Sequence, residues 1–314
     1  MPLFVRSVEL NPSIQVFLIS TNAVRRLPAN ITHIPWSLSD IERRVREFID
    51  PSLSVPHAYK LCDFRPFFGM LFPDLVRDFD FWGYCDLDLV FGNLSRLLTD
   101  DRLADTDVFF ADAHMVVGHF ALYRNCPIVN ALGKRLPNYI SLLASSDHMS
   151  CDELGMSQVL AANPEIRWSM ARSLSESQFT IKANGKMMGQ TSGVLGSRHR
   201  IYWRNGSAFI KSREYGQQEV LYLHFMGLKR GYHWVTYDPN RVYEEFSLSA
   251  NGFVPWVDPP SNWHYWKIAT RGGAMYLVSS ARGMAAKIVP NKTRLRIKEM
   301  LRGYAARRLT GSTK

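Results

Sequence analysis

Apolar and polar positions along the first two thirds of the chain alternate between two periods. The unbroken β-branched and aromatic run SIQVFLIS (13–20) predicts a strand. SLSDIERRVREFI (37–49) then predicts a helix, with Ile41, Val45, Phe48 and Ile49 on one face and Ser37 or Ser39 placed to cap it. A second helix is expected from Tyr59 to Leu75, interrupted near Pro66. DFDFWGYCDLDLVFGNL (78–94), DVFFADA (107–113) and MVVGHFALYR (115–124) read as strands, and another helix begins near Leu154. Short apolar runs alternating with amphipathic helices predict an α/β fold whose mostly parallel sheet is covered by helices on both faces. After about residue 180 the texture changes. FTIKANGKMMG and RIYWRNGSAFI each place Asn-Gly between apolar flanks, the strongest short hairpin signal, so an antiparallel addition is expected there.

Composition narrows the class. With 314 residues and 46% apolar content the chain can bury a large core, which excludes disorder as its main state. No apolar run approaches the roughly 20 residues of a membrane span, and the start lacks a signal-peptide pattern, so a cytoplasmic location is expected. The cysteines Cys62, Cys85, Cys126 and Cys151 form no C-x-x-C pair and read as reduced core residues. The net charge is +10, but from Arg282 onward ten basic residues face one acid, Glu299, which leaves the preceding chain nearly neutral. A nucleic-acid partner is therefore not expected, since such proteins spread positive charge over the folded body. Within the tail Ile297, Met300, Leu301, Tyr304 and Ala305 recur at helical spacing opposite Arg294, Lys298, Arg302 and Arg308. This basic amphipathic helix either lies on an anionic membrane surface, the inner face of the plasma membrane, or packs on its own domain.

Candidate chemistry centres on Asp86 and Asp88, two carboxylates inside an otherwise aromatic and aliphatic run. Ligands collect where strands of an α/β sheet end, and residues two apart in extended chain point the same way. Two anions placed together repel unless a cation lies between them, and hard oxygen donors suit Mg²⁺ or Mn²⁺. The plain alternative is that both merely cap a turn or pair on the surface. Two enzyme classes use such a pair: haloacid-dehalogenase-like phosphatases, whose D-x-D-x-[TV] pattern is met by Asp86, Asp88 and Val90, and glycosyltransferases. In the phosphatases the motif sits on the first strand of the domain, whereas here a strand and two helices precede it.

HFMGLK (224–229) has the form H-x-x-G-x-x-K and resembles the C-terminal signature of glycogenin-like, metal-dependent glycosyltransferases. That resemblance implies His224 as third metal ligand, Lys229 on the diphosphate and Gly227 for close backbone approach, and an imidazole beside carboxylates favours Mn²⁺. YKLCDFRPFFG (59–69) resembles the K/S-D-x-x-R segment of capsular and mannosyl-type transferases, which implies nucleotide-sugar contacts for Lys60, Asp63 and Arg65. Together with WGYCDLDLVFG, GHFALYRN (118–125) and CDELGMSQ (151–158), the pattern over roughly residues 8–235 closely resembles a group of bacterial GT-A-like proteins of unknown function.

What this resemblance implies is a nucleotide-diphospho-sugar transferase fold and transfer of a sugar from a nucleotide-sugar donor to a glycan or lipid-linked acceptor, in cell-surface polysaccharide synthesis. Asp86 and Asp152 are the expected catalytic acids, Asp86 also contacting ribose or sugar and Asp152 orienting the donor or deprotonating an acceptor hydroxyl. A phosphatase and a non-catalytic basic membrane-binding protein remain the alternatives. His119, in GHF, reads as a satisfied strand histidine, and the aromatic run at 255–266 as packing against the core. Such transferases begin with a strand whose loop receives the nucleobase. Here only ten residues precede Asn11, and LFVRSVEL reads as the end of the following helix, so that first strand is expected to be missing. The expected organisation is a transferase domain at 1–240, an aromatic-rich extension at 241–285 and the basic helix at 286–314.

Overall fold

The computed structural model describes residues 2–24, 26–111, 115–170, 178–181, 187–189, 193–194, 200–212, 216–225, 241–249 and 252–254. Gly227, Lys229, the aromatic run at 255–266 and the basic tail lie outside these residues, as does most of the extension expected at 241–285.

Local chemistry sets the early elements. LFVRSVEL falls in a helix, Pro2–Glu9, that buries Leu3, Phe4, Ser7 and Val8. Val16–Ile19 forms a strand and pairs in parallel with Ile31–Ile34. Helix Leu38–Phe48 starts at Ser37, whose hydroxyl accepts from the Asp40 amide while the Asp40 carboxylate accepts from the Ser37 amide, a reciprocal capping box. It buries Ile41 and Val45. The expected helix over 59–75 is instead a chain of single turns, Ala58–Lys60, Leu61–Phe64, Arg65–Phe67, Phe68–Leu71 and Pro73–Val76. Pro66 and Pro73 lack the amide that continuous helix requires.

The expectation of a mostly parallel sheet holds only in part: among the strands up to residue 170 two pairings are parallel and two antiparallel. Among the described residues nine strand pairings are antiparallel and three parallel. Connection length explains it, because a parallel crossover needs a dozen or more residues. The apolar run at 107–124 is not two parallel strands but Val108–Phe110 and Phe120–Arg124, antiparallel to each other across a short connection. One sheet runs in the order Phe81–Cys85, Phe120–Arg124, Val108–Phe110, Trp168–Met170. A second contains Tyr222–His224, antiparallel to Leu89–Phe91 and parallel to Gln178–Ile181. A third is wholly antiparallel and includes the predicted hairpin of Arg200–Arg204 and Ser207–Ser212, whose turn residues Asn205 and Gly206 both have positive φ (52° and 77°).

Strand alternation assigns the core. In the first sheet Trp82, Tyr84, Val108, Phe110, Ala121 and Tyr123 face the helical segments, while Phe109 and Phe120 point the other way, toward Phe91, Tyr222 and the N-terminal helix. In the second sheet Leu89 and Phe91 meet that layer, while Val90 and Leu223 meet Ile201, Trp203 and Phe246 of the third. Helices and three sheets thus stack in sequence, and the antiparallel region is woven into the core through Tyr222–His224 instead of being appended to it. Trp203 fastens the last two layers, its buried Nε1–H donating to the Phe91 carbonyl at 2.8 Å. Trp203→Phe should cost about 2 kcal/mol through the lost hydrogen bond and the vacated volume. A lowered denaturant midpoint with unchanged slope checks this.

Candidate metal centre

The run 78–94 is one apolar stretch in sequence but two strands in space. Phe81–Cys85 belongs to the first sheet and Leu89–Phe91 to the second, so Asp86, Leu87 and Asp88 occupy the crossing between them. Each side of the crossing is pinned through the backbone. The Asp86 amide donates to the His119 carbonyl at 3.0 Å, and the Phe225 amide donates to the Asp88 carbonyl at 2.9 Å. The ladder between Tyr222–His224 and Leu89–Phe91 pairs His224 with Leu89, which brings its side chain to the carboxylates.

Asp86, Asp88 and His224 converge, with one ligand atom from each lying within 4.8 Å of the others. His224 Nε2 stands 3.5 Å from Asp88 Oδ1. That separation is longer than a good hydrogen bond and shorter than twice a metal–ligand bond of about 2.1 Å, as two donors to one ion require. His224 is 4% exposed, and its buried Nδ1 has no hydrogen-bond partner among the described residues. Two carboxylates and an imidazole form a donor set suited to Mn²⁺ or Mg²⁺.

The match that places the sequence among known proteins is to a family model described as a family of unknown function, DUF6625, over residues 1–256. The chain belongs to the DUF6625 family. No curated protein and no solved structure matches it. The matched span holds all three candidate ligands of the DUF6625 chain and stops short of its basic tail.

Arg65 is the second fixed point of the site. One guanidinium nitrogen donates to Asp86 Oδ1 at 2.6 Å, and the other to Asp152 Oδ2 at 2.9 Å and to the Gly118 carbonyl. The group lies over the Tyr84 ring, 5.2 Å from its centroid. Burial opposes its charge, but Asp86, Cys62 and Asp152 raise its pKa further, so it is a permanent cation. Asp152 sits in a π-helical turn, Cys151–Gly155, and is 1% exposed. Burial pushes its carboxyl above the usual range against the pull of Arg65, and Glu153 adds to the rise. Glu153 accepts from the Gly118 amide at 2.9 Å. A Cβ on Gly118 would stand 2.8 Å from Asp152 Oδ2 and 2.9 Å from Glu153 Oε1, so only glycine lets this turn close over the acids.

Two other expected binding residues have different places. Lys60 and Asp63 are fully buried and paired at 2.9 Å. The Lys60 ammonium also donates to the carbonyls of Leu142 and Asp147, using all three of its protons. Asp63 in turn accepts from the amides of Met149 and Cys151. The pair pins the loop leading to Asp152 and faces no cleft. His148, unremarked in the sequence, puts Nε2 at 3.7 Å from Asp152 Oδ1 and 3.8 Å from Asp63 Oδ1, and the three offer ligand atoms within 4.8 Å of one another. Lys60 and the two amides serve Asp63, whereas Arg65 serves only the other Asp152 oxygen. His119 is no strand residue. It lies in the turn ahead of Phe120, and its ring stacks on His224 with centroids 4.1 Å apart. Only its position beside Gly118 hinted at this.

Burial works against the Asp63 charge, but the Cys151 and Met149 amides and Lys60 outweigh it and hold the carboxyl below its ordinary range. Its contribution to stability is therefore complete above about pH 3.9 and is lost as the pH falls through the depressed folded value. Lys60→Met should cost about 3–5 kcal/mol at neutral pH by leaving a buried carboxylate without its cation. The deficit should narrow in acid as Asp63 of the variant takes up a proton, and Mn²⁺ affinity should fall modestly, because the pair places Asp152 and, through it, the Arg65 that holds Asp86. Denaturation at several pH values, with calorimetry for the metal, checks each part.

Proposed function

We propose that the chain is a metal-dependent glycosyltransferase that moves a sugar from a nucleotide-diphosphate donor to a glycan or lipid-linked acceptor. The observation that carries this reading is the convergence of His224 with Asp86 and Asp88, far from it in sequence, at a crossing between two sheets. Asp88 and His224 would hold the ion directly, with Asp86 shared between it and Arg65. A bound Mn²⁺ or Mg²⁺ supplies Lewis-acid stabilisation for the negative charge that a departing nucleoside diphosphate develops.

The protein's own groups do the rest. Arg65 orients Asp86 and ties it to Asp152, and the buried Asp152 acts on the site through that guanidinium.

Asp88→Ala and His224→Ala should each lose Mn²⁺-dependent nucleoside diphosphate binding by at least about 100-fold while keeping the fold. The double variant should be little worse, because ligands of one ion act as a unit. Titration calorimetry with and without Mn²⁺, on variants verified by circular dichroism, decides the matter. Unchanged affinity in Asp88→Ala would remove the centre of the proposal.

The basic tail supports a place for the enzyme on an anionic membrane surface, where a lipid-linked acceptor would lie. No helix among the described residues is long and apolar enough to cross a membrane. Each basic residue near such a surface contributes roughly 1 kcal/mol, so sedimentation with anionic vesicles should need residues 286–314 and weaken with salt. Equal sedimentation with neutral vesicles would exclude this mode.

A further inference from the structure

We propose that His119 is a positioning residue of the metal centre, fixing two of its three ligands at once. The inference rests on the reading that Asp86, Asp88 and His224 hold a divalent cation. It concerns a residue that touches none of the reacting groups in that reading.

The first contact is through the backbone. Phe120 pairs with Cys85 as the last rung of its ladder, and the bond from the Asp86 amide to the His119 carbonyl, 3.0 Å, continues the ladder one step beyond it. That bond sets where the first aspartate leaves the sheet. The second contact is through the ring. The His119 imidazole, 9% exposed, lies nearly parallel to that of His224, at 25° and 4.1 Å between centroids. Tyr222 closes the other side, edge-on to His119 at 5.8 Å and 76°.

The consequence follows from torsional freedom. The terminal torsion of a histidine is broad and roughly two-fold, so an imidazole is not aimed by its own rotamer. A metal ligand must point one nitrogen at the ion, and partners outside the coordination shell normally fix that direction. For His224 the described surroundings offer Nδ1 no hydrogen-bond partner, which leaves the flat face of His119 to hold the ring plane. The stack also bridges the two sheets, since His119 adjoins the first and His224 belongs to the second. One residue therefore keeps the imidazole from one sheet in register with the carboxylate leaving the other.

The test uses the full chain and Mn²⁺ itself, titrated by calorimetry and followed by the electron paramagnetic resonance spectrum of the bound ion. Wild type and Asp88→Ala come first. Binding in the one and its loss in the other establish the site independently of His119. His119→Phe keeps a flat aromatic face, while His119→Leu fills the space without one. We expect the phenylalanine variant to bind Mn²⁺ within about threefold of wild type. The leucine variant should fall by about 10–100-fold, the usual effect of removing a group that orients a ligand. A folded His119→Leu that binds as tightly as wild type overturns the proposal, and so does an equal loss in both variants, which would place the effect in the imidazole nitrogens instead of the stack. If His119→Leu fails to fold, His119→Met provides the same contrast. Absence of Mn²⁺ binding in wild type would sink the metal site and this role together.

Discussion

A chain that leaves one sheet and enters another must satisfy its backbone amides and carbonyls where both ladders stop, because buried peptide groups cannot be left unpaired. At residues 86–88 that requirement is met by three bonds. The Asp86 amide reaches the His119 carbonyl, the Leu89 amide reaches the Asp86 carbonyl, and the Asp88 carbonyl receives the Phe225 amide. These bonds fix the site's geometry. The first brings the turn at Gly118 and His119 against Asp86, and the third holds the end of the strand bearing His224 against Asp88. The two carboxylates are presented on a segment whose backbone cannot drift, which is what a site needing sub-ångström placement requires.

Charge balance adds a second constraint. Arg65 is shared by Asp86 and Asp152, one cation against two acids, while Asp88 faces an imidazole on the far side of the crossing. The carboxyl of Asp152 responds by rising above its usual range, mainly through burial. Arg65 thus serves Asp86 and Asp152, while Asp88 stands apart from it beside His224. In the proposed function a divalent cation would sit where Asp86, Asp88 and His224 converge and offset their carboxylates.

The sequence made the elements easier to read than their partners. Ser37 and Ser39 marked the start of their helix because capping is local, the structure choosing Ser37, and Asn205-Gly206 declared its hairpin because a turn with two positive φ angles suits few residues. Asp86 and Asp88 stood out because carboxylates are costly in an apolar run, and His224 entered through the resemblance of its flanking residues to a transferase signature. Strand direction was legible only in part, because an apolar run reports burial without orientation, and buried antiparallel strands look like parallel ones. The crossing itself was invisible, since Leu89 to Phe91 is as apolar as Phe81 to Tyr84. His119 was read as a strand histidine, and its stacking on His224 went unseen because contact between rings more than a hundred positions apart leaves no local period.

Lys60, Asp63 and Arg65 show how one short segment divides between fold and site. Residues 60 and 63 are one turn apart, so their charges meet within the segment, and the pair turns inward to collect the Leu142 and Asp147 carbonyls and the Met149 and Cys151 amides. A buried ion pair of this kind gives little net stability once both charges are desolvated, but it tolerates few alternative arrangements. Here it specifies the path of the loop at 142–151. Asp152 follows directly on that loop, and Arg65, two residues beyond Asp63, meets it at 2.9 Å. One guanidinium nitrogen is held by Asp152 and the Gly118 carbonyl, and the other reaches Asp86. The buried pair thus bears on the site without touching it: it sets where Asp152 stands, Asp152 aims Arg65, and Arg65 holds the first of the two aspartates at the crossing.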